Sequence, residues 1–222
     1  MHSADEPRRP FRLLLAIAAG LVVTATLAGC GSDDAEPDAG SSVRTAPDGS
    51  EFNDADVDFA TEMIPHHAQA VEMVVMAQGR DLSPEVETLM ADIRDAQVPE
   101  IQTMTGWLAA WDEPVPETGL DHANAGHPGD DDSQGSDDMG DSDMGDMGGS
   151  MMSEEQMQEL RTAGDGDFEQ MWLEMMTEHH EGAVEMAEQE IEDGLYPEAI
   201  DLAESVIESQ NAEIETMQDL LG

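Results

Sequence analysis

Apolar and small residues recur at helical spacing through Phe59, Met63, Ala70, Val74 and Ala77, a pattern that predicts a first helix beginning near Ala55. The stretch QGRDLSP, Gln78 to Pro84, supplies a glycine stop and a Ser-Pro start for a second helix. Val86, Leu89, Ile93, Ile101, Met104 and Leu108 carry that second helix to about Trp111, and Pro99 is expected to kink it. A short helix is expected to begin at Ser153, where Ser153 and Gln156 fit a capping box, and GDGD at Gly164 to Asp167 breaks it. A long helix then runs to about Asp193, Gly194 and Pro197 mark a turn, and Ile200, Leu202, Val206, Ile214, Met217 and Leu221 outline the last helix. No strand pattern competes.

The pattern occurs twice. MIPHHAQAVEM, Met63 to Met73, returns as MTEHHEGAVEM, Met176 to Met186, at an offset of 113 residues, as from His66 to His179. The same offset relates Pro84 to Pro197, Gln97 to Gln210, Glu100 to Glu213, Met104 to Met217 and Leu108 to Leu221. Each copy is therefore expected to be one αα-hairpin, residues 55–111 and 153–222. A lone hairpin exposes its apolar face, so the simplest arrangement is an all-α four-helix bundle built from two duplicated αα-hairpins.

Other segments lack the means to build a core. Arg8, Arg9 and Arg12 precede the apolar run Leu13 to Leu27, and LAGC follows at Leu27 to Cys30; residues 1–29 resemble a lipoprotein signal peptide. By that resemblance Cys30 carries the lipid, which accounts for a single cysteine in the chain. The apolar run is shorter than the roughly 20 residues a membrane span needs. The expected location is the cell envelope, anchored on the extracytoplasmic face of the cytoplasmic membrane; RRPFRLL also loosely resembles a twin-arginine signal, so the export route stays open. Residues 30–54 read as a disordered acidic tether, and residues 112–152, rich in Asp, Gly, Ser, His and Met, as a disordered linker.

Charge narrows the choice of partners. Seven Lys and Arg stand against 52 Asp and Glu, which disfavours nucleic acid, because phosphate binding requires a basic stripe. Cations are favoured, although most of these carboxylates serve solubility.

At about 100° per residue, His66 falls near 300° and His67 near 40° when measured from Met63, so the two imidazoles flank the apolar stripe. Glu72 falls near 180°, on the opposite face, and with its counterpart Glu185 makes a poor ligand. Met63 lies one turn from both histidines, which lets thioether and imidazole converge on one ion. The candidate ligands are Met63, His66, His67 and Met73 with Met176, His179, His180 and Met186, and Met104 and Met217 return alongside them. Imidazole and thioether without thiolate suit copper, Cu(I) by preference, over Mg or Ca, with zinc left open. His122, His127, Met139, Met144 and Met147 in the linker, with Met151 and Met152, would add soft ligands on a flexible arm.

The signature Met-x-x-His-His-x-x-Ala-x-x-Met, followed by Gln, Glu-Ile, Met and Leu, resembles the domain of unknown function 305 family (DUF305) over residues 55–222. The resemblance implies a ferritin-like extracytoplasmic helical bundle, with copper binding and copper tolerance among some members, through Met and His. A membrane-tethered metal-binding protein without turnover is the expected function. Two alternatives compete. A di-iron redox enzyme would need Glu-x-x-His motifs, and none occurs: Glu62 precedes His66 by four residues and Glu174 precedes His179 by five. A helical interaction module without metal would leave the histidines as hydrogen-bonded boundary residues.

Overall fold

The computed structural model describes residues 42–118 and 151–222. Among the described residues, five helices follow a two-stranded hairpin. The strands are β1 (Arg44–Thr45) and β2 (Glu51–Phe52), and the helices are α1 (Asp54–Met76), α2 (Pro84–Trp111), α3 (Glu154–Thr162), α4 (Asp165–Asp193) and α5 (Pro197–Leu221). The signal-peptide reading of residues 1–29, Cys30 and the linker positions His122, His127, Met139, Met144 and Met147 lie outside the described residues.

Local chemistry explains where the helices begin. Asn53 caps α1: its side chain accepts from the Asp56 backbone N–H while the Asp56 carboxylate takes the Asn53 N–H at 2.6 Å. Ser83 caps α2 with Pro84 at the first helical position, and the expected box between Ser153 and Gln156 opens α3. Both α1 and α2 continue through an internal proline, Pro65 and Pro99. Each ring removes one ladder hydrogen bond, but α2 remains one helix, because packing along its length holds it.

The four long helices form the expected bundle. Helix α1 packs on α2, α4 packs on α5, and the hairpins meet mainly through α1 against α4, with α3 laid across that pair. Its core is divided into two apolar clusters. One gathers the end of α1, the start of α2 and the start of α4 around Phe168 and Trp172; the other gathers the start of α1, the end of α2 and the start of α5 around Phe59 and Leu108. Burying a side chain of this size contributes roughly 1.5–3 kcal/mol, so each cluster ties helices of both hairpins together.

Two expectations about unstructured segments need correction. Within the tether, residues 44–52 form an antiparallel hairpin with Arg44 opposite Phe52. Pro47-Asp48-Gly49 makes the turn: Gly49 takes φ 93°, and Asp48 accepts from both the amide and the hydroxyl of Ser50. Phe52 is buried and stacks on Trp111 at 4.6 Å between centroids, so one aromatic residue anchors a segment too polar to show a strand pattern. At the end of the linker, Met152 is no arm ligand. It is buried in the core, and its backbone exchanges hydrogen bonds of 2.7 and 2.8 Å with the Gln69 side chain.

Candidate metal centre

On every long helix a short polar interval separates the two apolar clusters. In α1 it holds His66 and His67, in α4 His179 and His180, in α2 Gln97 and Glu100, and in α5 Gln210 and Glu213. Because the hairpins are antiparallel, the four intervals fall at one level and form a polar layer across the middle of the bundle. The histidines are more enclosed than flanking positions would be. His67, His179 and His180 have no exposed surface, and His66 is 1% exposed.

The ring contacts tie the hairpins together. His66 and His179 lie face to face across the interface between α1 and α4, with centroids 3.7 Å apart and planes tilted by 31°. His67 and His180 each turn toward the returning helix of their own hairpin. His67 Nε2 lies 2.7 Å from Glu100 Oε2, and His180 Nε2 lies 2.8 Å from Glu213 Oε2. Both carboxylate side chains are 15% exposed, so the glutamates line the rim of the layer.

The remaining nitrogens have no such partner. Both ring nitrogens of His66 and of His179, and Nδ1 of His67 and of His180, are buried without a hydrogen-bond partner among the described residues. The Gln97 amide and the Gln210 carbonyl oxygen share that condition, and both side chains are 2% exposed. Burial holds the His66 and His179 pKa values well below the ordinary imidazole range, and the neighbouring histidines lower them further. A nearby His66 backbone group acts weakly in the opposite sense on His179. Both rings are therefore neutral at pH 7, and each neutral ring carries one bare nitrogen lone pair.

Methionine brackets this layer. Met63 and Met104, with the half-buried Met186, belong to one apolar cluster; Met73, Met176 and Met217 belong to the other. At the 113-residue offset the two sets correspond member for member. Five of the six are fully buried, so these thioethers fill the core on either side of the polar level. Glu72 points away, paired with Arg161 at 2.9 Å, in agreement with its position on the helix.

Donor chemistry fits a soft cation, but the rings as they stand do not chelate one. Among the described residues, no three His, Cys, Asp or Glu side chains converge to hold a metal ion. The His66 and His179 rings are in contact at 3.7 Å between centroids with a 31° tilt, while their lone pairs lie in the ring planes, so the two would have to turn to share an ion. The unpartnered lone pairs are what such an ion would satisfy, since buried polar nitrogens are rarely left bare.

Sequence reasoning placed the histidines and methionines and brought Gln97 to Met104 back alongside the histidine level, but gave Gln97, Gln210, Glu100 and Glu213 no role in the site. A signal was present: each Glu follows its histidine by 33 residues in both copies.

Fold and site together define an antiparallel helical bundle with a buried imidazole layer at its centre. The chain belongs to the DUF305 family, a domain of unknown function whose model matches residues 56–221. A DUF305 fragment from Deinococcus radiodurans is 26% identical with a TM-score of 0.59, covering 81% of this chain and 99% of that one. A DUF305 protein from Streptomyces coelicolor, described as secreted, is 32% identical with a TM-score of 0.59, covering 75% and 91%. CopM in its Cu(II)-bound form is 29% identical with a TM-score of 0.55, covering 75% and 95%, and a Cu(I)-bound form of CopM also matches. No curated protein matches the chain. Among the described residues no helix is long and apolar enough to cross a membrane.

Proposed function

We propose that this protein binds copper, Cu(I) by preference, and buffers or sequesters it outside the cytoplasm, held to the membrane by a lipid on Cys30. The observation that carries the reading is the set of buried imidazole nitrogens without partners at the middle of the bundle. In water each would be hydrated, and burying them bare costs free energy that a soft cation would offset. His66, His67, His179 and His180 are the first ligands, and Met63, Met73, Met176, Met186, Met104 and Met217 supply thioethers from the flanking clusters. Cu(I) accepts few ligands in flexible geometry, which suits rings that must turn before they converge. The copper-bound forms of CopM, a relative of the same fold, support the choice of metal. Redox turnover by a di-iron centre is disfavoured, because Glu100 and Glu213 contact the histidines instead of alternating with them in Glu-x-x-His motifs.

Titration of untagged protein with Cu(I), read by metal analysis and native mass spectrometry, tests this reading. Replacing His66, His67, His179 and His180 together by Gln is expected to abolish high-affinity binding while helicity persists. Deleting residues 121–149, which contain His122, His127, Met139, Met144 and Met147, is expected to lower capacity only. The opposite pair of results would move the metal site to the linker and leave the histidines structural. Cys30→Ser is expected to release the protein from membranes; unchanged processing and anchoring would refute the lipid.

A further inference from the structure

We infer that Glu100 and Glu213 are positioning residues that fix His67 and His180 as Nε2–H tautomers and thereby assign Nδ1 of each ring as the nitrogen that donates to metal. This rests on the proposed function for the word metal, but the tautomer stands without it. A carboxylate only accepts, so at 2.7 Å from His67 and 2.8 Å from His180 the nitrogen facing it carries the hydrogen. In the neutral ring the other nitrogen then holds the lone pair. In both rings that nitrogen, Nδ1, is buried and has no partner among the described residues.

The geometry sets direction as well as protonation. Glu100 and Glu213 sit at the partly exposed rim, while the rings they hold have no exposed surface. With Nε2 drawn toward the rim, Nδ1 lies on the side of the ring away from it. The arrangement occurs in both hairpins at the same separation of 33 residues, which a chance contact between a surface carboxylate and a histidine would not reproduce. His66 and His179 have no such carboxylate, and both nitrogens of each remain unpartnered. The layer therefore contains two kinds of histidine: a pinned outer pair with one nitrogen committed, and a central pair in ring contact with neither nitrogen committed. A carboxylate on the far nitrogen of a ligating imidazole also raises its basicity and orients it.

Nitrogen NMR of the full-length protein labelled at histidine tests the inference, with Ag(I) as a diamagnetic stand-in for Cu(I). In the metal-free protein His67 and His180 are expected as Nε2–H tautomers. Adding Ag(I) is expected to move their Nδ1 resonances. Glu100→Leu with Glu213→Leu should release the tautomers and weaken Ag(I) binding by about 10- to 100-fold. Glu100→Gln with Glu213→Gln retains an acceptor oxygen and should restore the tautomers and most of the affinity, which separates positioning from loss of fold. A metal-free spectrum with the hydrogen on Nδ1, or Ag(I) acting on Nε2, overturns the inference and leaves the metal-binding reading intact. Correct tautomers with no imidazole responding to Ag(I) would overturn the metal-binding reading and, with it, the donor role assigned to Nδ1.

Discussion

Asp56 of the first hairpin and Glu169 of the second occupy matched positions, and each holds the residues that lead into the helix with which the other hairpin returns. Asp56 Oδ1 accepts the amides of Leu195 and Tyr196 at 2.9 and 2.8 Å, ahead of α5. Glu169 accepts the amide and hydroxyl of Ser83 at 2.7 and 2.9 Å, ahead of α2. The surroundings of these two carboxylates differ. Beside Asp56 lies Glu190, 1% exposed, where the other end has Ala77. Neither Glu190 oxygen receives an N–H or O–H; burial first, then the hydrogen bond to Asp56 and the charges of Asp56 and Asp193, push its pKa up to about 9. Glu190 thus keeps its proton at pH 7. At the opposite end Arg80 does the joining: it donates to the carbonyls of Ala163 and Arg161 at 2.8 and 2.9 Å and lies 3.9 Å over the Phe168 ring. The two ends are built differently, with a buried protonated acid in one case and a guanidinium in the other. The centre repeats the same residues in the same contacts. Closing a helix end can be achieved by several chemistries, whereas the layer keeps one set, which points to a task that only that set performs.

Matched substitutions at the centre should therefore have equal effects, and these are the largest expected. His66→Gln alone and His179→Gln alone should each weaken Cu(I) binding by at least about tenfold, because losing a ligand costs no less than losing its outer partner. Competition titrations giving one large and one negligible effect would break the symmetry of the layer.

At the ends the effects should be unequal. Arg80→Ala removes three hydrogen bonds to backbone carbonyls, the ion pair with Asp165 and a ring contact, about 2–3 kcal/mol, to be read from urea midpoints. At the other end Glu190 gives the opposite sign. Its folded pKa of about 9 exceeds the ordinary value of 4.5, so the native state binds more protons than the unfolded chain across that interval. The contribution is complete below about pH 4.5 and is lost as pH rises through 9. Glu190→Gln, which can donate to Asp56 without ionising, should raise Tm at pH 8.5 by about 3 °C or more and flatten the fall in stability between pH 5 and 9. An unchanged pH profile would show that the buried acid is not protonated.

The smallest effect belongs to the surface. Arg161 and Glu72 form an ion pair with both side chains substantially exposed, and Arg161→Ala should shift stability by no more than about 0.5 kcal/mol. A larger loss would mean that α3 depends on that pair to stay against α1.

Much of this protein follows from local chemistry and was legible along the chain. Helix boundaries near Pro84, Ser153, Gly164 and Pro197 follow from caps and breakers that act within a turn. Helical period alone places His66 and His67 at the edges of the apolar stripe; their complete enclosure came from the packing of the bundle. Repetition at 113 residues indicated that the two histidine pairs belong to one bundle. The partners did not follow. Whether His66 meets His179 or a methionine depends on how far α1 slides along α4, and no residue within either helix records that shift. The choice of Glu100 and Glu213 as the carboxylates on Nε2 depends on the rotation of α2 and α5, set by packing in the two apolar clusters. The raised pKa of Glu190 is further still from the sequence, because it arises from the burial and charges that assembly creates. Tertiary structure alone decided these, since they are properties of register between helices, and register is a sum over contacts distant in sequence.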